Sequence, residues 1–289
     1  MTFQELLSKP LICLDGGTGT MLQARGLRPD ERTESWTIEH PEALIQIHQS
    51  YIDAGSDIVN ANTFGVNKFR YHDSSDYSLS RLVEEAVSNA RQAARQAAGD
   101  KETLISLDLG PSGQFMEPFG DLTYEEAFDN FRQLVIAGKK AGVDCISIET
   151  MFSCQEAQAA LEACREYCGL PVLLSFSFQE NGRLLTGETV TDAAKTAEDG
   201  GAAAVGFNCG FGPVQMMPLV KELLNITSLP VIAKPNAGLP KTVDGKTCYT
   251  MEPAEFADVM KEIADMGARL IGGCCGTTPE FIRRLRSLS

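Results

Sequence analysis

The chain has 289 residues and a formal net charge of −14, with 43% hydrophobic and 22% charged residues. This composition is typical of a globular protein with a buried core. The acidic balance argues against a nucleic acid partner, because such a surface repels phosphates. No apolar run approaches the about 18 residues that a membrane span needs, and the start, MTFQELLSKPLICLDGG, lacks the pattern of a secretory signal. We therefore expect a cytoplasmic protein, whose nine cysteines are thiols or metal ligands rather than disulfides.

Short apolar runs alternate with longer amphipathic segments along the chain. Eight runs are typical of strands covered on both faces: LICLDGG, DIVNANTFG, LISLDLGP, CISIET, VLLSFSF, AVGFNCG, VIAKPNAG and LIGGCCG. Helices are predicted in PEALIQIHQSYIDAG, LSRLVEEAVSNARQAARQAAG (ending at Gly99), PVQMMPLVKELL and PAEFADVMKEIADMG. Capping-box spacing predicts two further helix starts, at Thr123 with Glu126 and at Ser153 with Glu156.

Eight strand–helix units over this length predict an α/β fold, a (β/α)₈ TIM barrel, in a single domain that covers residues 1–289. The competing architecture is a doubly wound open sheet, which usually has fewer units, and no G-x-G-x-x-G motif follows the first run. In a barrel the chemistry lies at the C-terminal ends of the strands. Those ends carry polar and thiol side chains with no obvious packing role, namely Asp15, Asn62, Thr63, Asp108, Glu149, Asn208, Cys209, Asn236, Cys274 and Cys275.

Three of the cysteines stand at the ends of predicted strands. Cys209 ends the sixth run, and the adjacent Cys274 and Cys275 end the eighth. Neighbouring side chains on a regular strand point to opposite faces, so both could reach one ion only where the surrounding glycines let the backbone turn. Three thiolates make an incomplete tetrahedral Zn²⁺ site, and an open fourth position is typical of catalytic zinc. The alternatives are small buried thiols and a vicinal disulfide.

The remaining cysteines and the histidines do not add to such a site. Cys13 and Cys145 lie inside predicted strands and are assigned to the core. Cys164 and Cys168 share a helix face without an apparent partner and are interpreted as core or surface thiols. The three histidines, His40, His48 and His72, are not at strand ends, which disfavours a histidine-based zinc or acid–base site.

Several motifs together resemble the homocysteine S-methyltransferase family, and most closely the homocysteine-binding module of cobalamin-dependent methionine synthase: LDGGTGTML, SYIDAGSDIVNANTFG, LDLGPSG, IET, GFNCG, KPNAGLP and GGCCGTTPE. The resemblance runs from about Leu11 to Phe281. It implies a TIM barrel in which Cys209, Cys274 and Cys275 hold a zinc ion that binds the sulfur of homocysteine. A thiolate, not a thiol, attacks a methyl group, and zinc favours deprotonation of a coordinated thiol.

The resemblance also implies how the amino-acid end of homocysteine is bound. Glu149 would receive the ammonium, and amides of the GGTGT turn near Gly17 and Thr18 would receive the carboxylate, because glycine-rich turns form anion-binding concavities. The further side chains expected at the substrate are Asp15, Asn62, Thr63, Asn208 and Asn236. For Asp15, Asn208 and Asn236 the alternative is turn support through side-chain-to-backbone hydrogen bonds. Relatives often have aspartate where this chain has Ser153, and threonine where it has Ala61, which leaves open its selectivity between homocysteine and related thiols.

The length of the chain and its aromatic residues both bear on the source of the methyl group. The eight units use almost the whole chain, so we expect an external donor: methylcobalamin on a separate, transiently bound corrinoid protein. The alternatives are a small cationic donor such as S-methylmethionine or betaine, and a zinc module that binds thiols without turnover. A methylated cation usually needs an aromatic cage. No aromatic cluster stands beside the strand-end motifs in the sequence, which favours the corrinoid donor.

Overall fold

The computed structural model describes residues 2–71, 77–98, 102–243 and 246–288. Its strands are β1 (Ile12–Cys13), β2 (Ile58–Asn60), β3 (Leu104–Leu109), β4 (Cys145–Met151), β5 (Val172–Phe176), β6 (Ala204–Asn208), β7 (Val231–Lys234), β8 (Lys241–Val243), β9 (Lys246–Cys248) and β10 (Leu270–Ile271). Eight of them form a parallel sheet in the order β1, β10, β7, β6, β5, β4, β3, β2. Each of the eight predicted runs coincides with one of these strands, although β4 extends one residue beyond its run, to Met151. The antiparallel hairpin of β8 and β9 was not predicted.

The helices lie outside the sheet, except that the first precedes all the strands and packs against the N-terminal end of the barrel. They are α1 (Phe3–Leu7), α2 (Thr18–Gln23), α3 (Trp36–Glu39), α4 (Pro41–Ala54), α5 (Leu79–Gln96), α6 (Tyr124–Ala141), α7 (Cys154–Tyr167), α8 (Val190–Asp199), α9 (Pro213–Leu224), α10 (Pro253–Asp265) and α11 (Pro279–Arg286). The four helices predicted from sequence segments are confirmed as α4, α5, α9 and α10, whereas Gly99 lies outside the described residues. Among the described residues, no helix has the length and apolar character needed to cross a membrane.

The two predicted capping boxes differ in outcome. At α6, Thr123 and Glu126 cap each other reciprocally, as predicted. At α7, the Ser153 hydroxyl accepts hydrogen bonds from the amides of Gln155 and Glu156, so the cap itself is confirmed. The Glu156 carboxylate, however, accepts a 2.7 Å hydrogen bond from the Ser112 amide instead of completing the box. The reason is tertiary: the loop after β3 brings an unsatisfied amide within reach of that carboxylate.

The barrel interior is filled from its N-terminal end. Side chains from the start of each strand form one apolar cluster, and α1 adds Phe3 and Leu6 to it. The strand members of this cluster are Ile12, Ile58, Leu104, Cys145, Leu173, Ala204, Ile232 and Leu270. Apolar packing therefore closes this end of the barrel, and the opposite, C-terminal end remains available for polar groups.

A carboxylate completes the barrel between β1 and β2. The Asp57 amide donates to the Cys13 carbonyl at 2.6 Å, and the Cys13 amide donates to the Asp57 carboxylate at 2.8 Å. Further along, the Asn60 amide donates to Oδ2 of Asp15 at 2.7 Å. The Asp15 side chain thus accepts a bond from β2 where β1 has already ended. This contact matches the turn-support alternative for Asp15 and also fixes its carboxylate at the barrel mouth.

Candidate metal and substrate site

The three strand-end cysteines meet at one point of the barrel mouth. The sulfur atoms of Cys209, Cys274 and Cys275 all lie within 4.8 Å of one another, and Cys209 Sγ and Cys275 Sγ are 4.0 Å apart. Each of the three residues is partly buried. The barrel closure expected from the sequence therefore brings Cys209 to an adjacent cysteine pair that begins 65 positions further along the chain.

Unusual backbone conformations turn these thiols toward each other. Cys209 has a left-handed φ of 59°, which is uncommon for a residue with a side chain and is typical of functional sites. Beyond β10, Gly276 has a φ of 80°, and a Cβ at Gly273 would stand 2.4 Å from the Thr277 hydroxyl. Glycine is therefore required at both positions, and the two adjacent cysteines leave strand geometry as the sequence predicted.

Two asparagines hold the cysteine loops in place. Asn208 Oδ1 accepts hydrogen bonds from the Thr150 amide at 2.7 Å and from the Ser175 hydroxyl at 2.8 Å, and its Nδ2 lies 3.9 Å from Cys274 Sγ. Asn236 Oδ1 accepts a 3.0 Å hydrogen bond from the Cys275 amide. Both side chains are buried and form hydrogen bonds within the protein, which agrees with the turn-support alternative for these two residues.

The pKa values of the three thiols depend on one another. The pKa of Cys209 is lowered to about 3, because the thiols of Cys274 and Cys275 donate hydrogen bonds to its sulfur. The contact with the Cys209 sulfur, together with burial, raises the pKa of Cys274 well above its ordinary value and that of Cys275 to about 11. One thiolate thus forms easily, whereas three thiolates so close together need a cation to offset their repulsion.

A cavity of about 450 Å³ opens beside the thiols. Its lining includes Asp15, Gly17, Thr18, Asn62, Asp108, Glu149, Asn208, Lys234 and the three cysteines. The thiols and the polar strand ends therefore share one cavity, at the end of the barrel where its chemistry was expected. A second cavity, of about 410 Å³, lies between α7 and α8 and is lined by none of the predicted site residues.

Lys234, at the end of β7, is a site residue that the sequence reasoning missed. It is 4% exposed, and its Nζ lies 2.5 Å from Oε1 of Glu149 and 3.3 Å from Oδ1 of Asp15. These carboxylates raise the pKa of Lys234 above its ordinary value despite burial, so the ammonium stays charged. A signal was present in the apolar run VIAK, because a lysine at the end of a buried strand requires an acidic partner.

The other predicted substrate residues divide into two groups. Gly17, Thr18 and Asn62 line the cavity, although the Gly17 amide donates to the Thr277 hydroxyl at 3.2 Å. The Asn62 amide group donates to the Thr33 carbonyl at 2.8 Å. Thr63 does not line the cavity; its hydroxyl is buried and forms hydrogen bonds with the backbone of Asp108 at 2.8 and 3.0 Å, which ties β2 to β3.

The histidines are not part of this site among the described residues. His40 and His48 are not in the cavity lining, and His72 lies outside the described residues.

The sequence shows no aromatic cluster beside the strand-end motifs, but the structure places two phenylalanines in the cavity lining. Phe64 and Phe152 line the cavity and are 39% and 36% exposed. On the loop between β3 and α6, Phe115 and Phe119 are also exposed. The phenylalanines of the lining follow β2 and β4, so they are far apart in sequence and only the closed barrel places them around one cavity. The cavity therefore combines exposed phenylalanine rings with a charged floor, which is formed by Asp15, Asp108, Glu149 and Lys234.

Comparisons with known proteins agree with this architecture. The family model for homocysteine S-methyltransferase matches residues 12–288. Methionine synthase of Mycobacterium tuberculosis is 29% identical over 298 residues, which cover 97% of this chain and 25% of that protein. Methionine synthase of Mycobacterium leprae is 28% identical, with 97% and 24% covered. The chain thus spans about a quarter of the length of these curated relatives.

Solved structures show the same fold. The homocysteine methyltransferase MmuM from Escherichia coli, in its oxidized form, superposes with a TM-score of 0.84 at 24% identity, with 99% of both chains covered. The metallated form of that enzyme gives a TM-score of 0.81 at the same identity and coverage. The predicted (β/α)₈ barrel is confirmed by this likeness and by the eight parallel strands. Since the family model covers nearly the whole chain, this protein belongs to the homocysteine S-methyltransferase family.

Proposed function

We propose that residues 1–289 form one homocysteine-binding unit that transfers a methyl group to the thiol of homocysteine and releases methionine. In this reaction the substrate sulfur forms a bond to the methyl carbon, the bond between methyl and donor breaks, and the thiol proton leaves to solvent. The observation that carries the proposal is the grouping of three thiols beside carboxylates in one cavity. An amino acid with a thiol side chain has the two chemical ends that such a cavity can bind.

The three cysteine sulfur atoms are suitable ligands for Zn²⁺. Cys209, Cys274 and Cys275 would hold the ion, because three sulfur ligands within 4.8 Å of one another match a tetrahedral site that keeps its fourth position open. Bound there, zinc would favour the thiolate form of a coordinated substrate thiol. Asn208 and Asn236 would keep the cysteine loops oriented, since each is bonded to a cysteine loop. A cytoplasmic location, where thiols stay reduced, suits this chemistry.

The cavity offers a different binding group to each end of the amino acid. Glu149 would take part in binding the ammonium, and the backbone of the turn at Gly17 and Thr18 would face the carboxylate. Asn62 lines the same part of the cavity and would support the turn side. Lys234 would hold Glu149 in place rather than act on the reacting sulfur, because its Nζ is bonded to two carboxylates.

We propose methylcobalamin on a separate corrinoid protein as the donor. Support comes from the matches to methionine synthases over 97% of this chain and from the exposed phenylalanines around the mouth, which offer an apolar surface to a large macrocycle. A second candidate is a small methylated cation, such as S-methylmethionine or betaine. Phe64 and Phe152 favour that alternative, since aromatic faces attract such cations.

A methyl-transfer assay distinguishes these donors. Zinc-loaded protein is incubated with homocysteine and, in turn, free methylcobalamin, a methylated corrinoid protein, S-methylmethionine and betaine, and methionine is measured. We expect slow turnover with free methylcobalamin and faster turnover with the corrinoid protein, because docking removes an orientation cost. Brisk methionine formation only from a cationic donor would reassign the donor. Homocysteine binding without turnover from any donor would indicate a thiol-binding module.

A further inference from the structure

Asp108 is a cavity carboxylate to which the binding scheme above gives no role. It follows Leu107 near the end of β3, lines the cavity beside the thiols, and is 8% exposed. Its Oδ1 is fully buried and has no hydrogen-bond partner among the described residues. A buried carboxylate oxygen without a donor costs stability, because burial disfavours its charge and nothing replaces the lost water. Such a group in a binding cavity is a candidate ligand contact.

Among the described residues, no ion pair joins Asp108 to a cation, although the charge of Lys234 acts on it. Lys234 is bonded to Glu149 and to Asp15, so the one lysine among the described residues of the cavity lining is already shared by two other carboxylates. Three carboxylates against one ammonium leave this floor with an excess of negative charge. Burial and the charge of Glu149 accordingly raise the pKa of Asp108 well above its ordinary value. The charges that act on Asp108 come from Glu149, Lys234, Asp15 and Glu34.

We infer that Asp108 is the principal acceptor for the α-ammonium group of the substrate, with Glu149 held beside it by Lys234. This inference rests on the proposed function and assigns a specificity-determining role within it. A substrate ammonium would supply the donor that Oδ1 lacks and would offset the excess negative charge. Glu149 contributes less, because its carboxylate is already neutralised by a lysine. A thiol acid without an amino group brings no such donor and is disfavoured.

The test compares two thiols that differ only in the amino group. Affinities of homocysteine and of 4-mercaptobutanoate are measured by calorimetry on zinc-loaded wild type and on Asp108→Asn. The thiol contribution cancels in the ratio of the two dissociation constants. We expect wild type to prefer homocysteine, and Asp108→Asn to lose about 10- to 150-fold of that preference, the value of a charge-assisted hydrogen bond. Zinc content is expected to stay unchanged.

Three further variants make the result specific. Glu149→Gln should reduce the preference by a smaller factor than Asp108→Asn. Asp258→Asn, on the exposed face of α10, should leave it unchanged. The thermal midpoint of Asp108→Asn should equal or exceed that of wild type, because the change removes a carboxyl group whose charged form burial and Glu149 disfavour. If Asp108→Asn does not fold, Asp108→Ser serves in its place.

Distinct outcomes separate this inference from the function on which it rests. A preference for homocysteine that survives in Asp108→Asn, or one that only Glu149→Gln removes, overturns the role of Asp108 and leaves methyl transfer intact. A preference that depends on Asp108, without methionine formation from any donor, overturns the proposed reaction and keeps the ammonium site. Failure of wild type to bind either thiol overturns both.

Discussion

The Nζ of Lys234 lies 2.5 Å from Oε1 of Glu149, and the two residues stand at the ends of β7 and β4 inside the barrel mouth. Their side chains are 5% and 11% exposed. The pair gives the cavity floor a fixed internal cation, so the carboxylates around it can stay close together without all being protonated. The charge state of the carboxylates around it therefore depends on Lys234.

Replacing Lys234 should destabilise the protein strongly. Lys234→Met removes the cation but leaves Asp15 and Glu149 buried, and breaking a buried pair in this way costs about 3–5 kcal/mol. The measurement is the free energy of unfolding from urea titration at pH 7. Lys261→Met, which breaks an exposed i,i+4 pair with Asp265, is the matched control and should cost less than about 1 kcal/mol. Equal losses in the two variants would contradict a structural role for the Lys234 pair.

Removal of one thiol should abolish metal binding. We expect wild type to hold about one zinc ion per chain at the cavity mouth. Cys209→Ala should remove both the zinc and methionine formation, because two thiols do not complete the site. Elemental analysis of the purified proteins measures the metal. Cys164→Ala, at a buried thiol of α7 outside the cavity, should retain zinc and activity. An active protein without metal would falsify the zinc mechanism.

Neutralising Glu149 should weaken substrate binding only moderately. Glu149→Gln keeps the shape of the side chain and removes its charge, and Lys234 already shares that charge. We expect homocysteine affinity to fall about tenfold, the lower end of the range for a charge-assisted hydrogen bond. Calorimetry on zinc-loaded protein measures this loss, and metal content should not change. Unaltered affinity would place Glu149 outside the ammonium site.

His48 should make the protein less stable in mild acid. It is fully buried in α4, neither ring nitrogen has a partner among the described residues, and burial lowers its pKa to about 4. The unfolded chain takes up the proton near pH 6.5, so the stability present above that pH is lost as pH falls toward 4. Between pH 7 and pH 5 this contributes a loss of about 2 kcal/mol.

The His48 contribution can be isolated by comparing pH slopes. The free energy of unfolding is measured at pH 7 and pH 5 for wild type and for His48→Leu. The variant should lose less stability than wild type over this interval, by about the amount that the histidine contributes. Identical slopes in the two proteins would mean that His48 is protonated equally in the folded and unfolded states.

The sequence by itself determined the barrel and the three cysteines that meet at its mouth. Alternating apolar runs and amphipathic segments report burial on both faces of a strand and on one face of a helix, which are local properties of the chain. The ends of the runs then locate Cys209, Cys274 and Cys275 at one mouth, because a barrel places all C-terminal strand ends together. Glycines beside the cysteine pair indicated the backbone turn that the structure has at Gly276.

Only the tertiary structure decided which side chains face each other across that mouth. Three such features are the pairing of Lys234 with Glu149, the Asp108 oxygen that has no partner among the described residues, and the phenylalanines in the lining. All of them involve residues from different strands and loops. Their orientations depend on barrel closure and on strained turns such as those at Thr150 and Cys209, where φ is left-handed. Periodicity reports whether a residue is buried, but the partner of a buried charge is set by packing between distant segments, so it appears only in three dimensions.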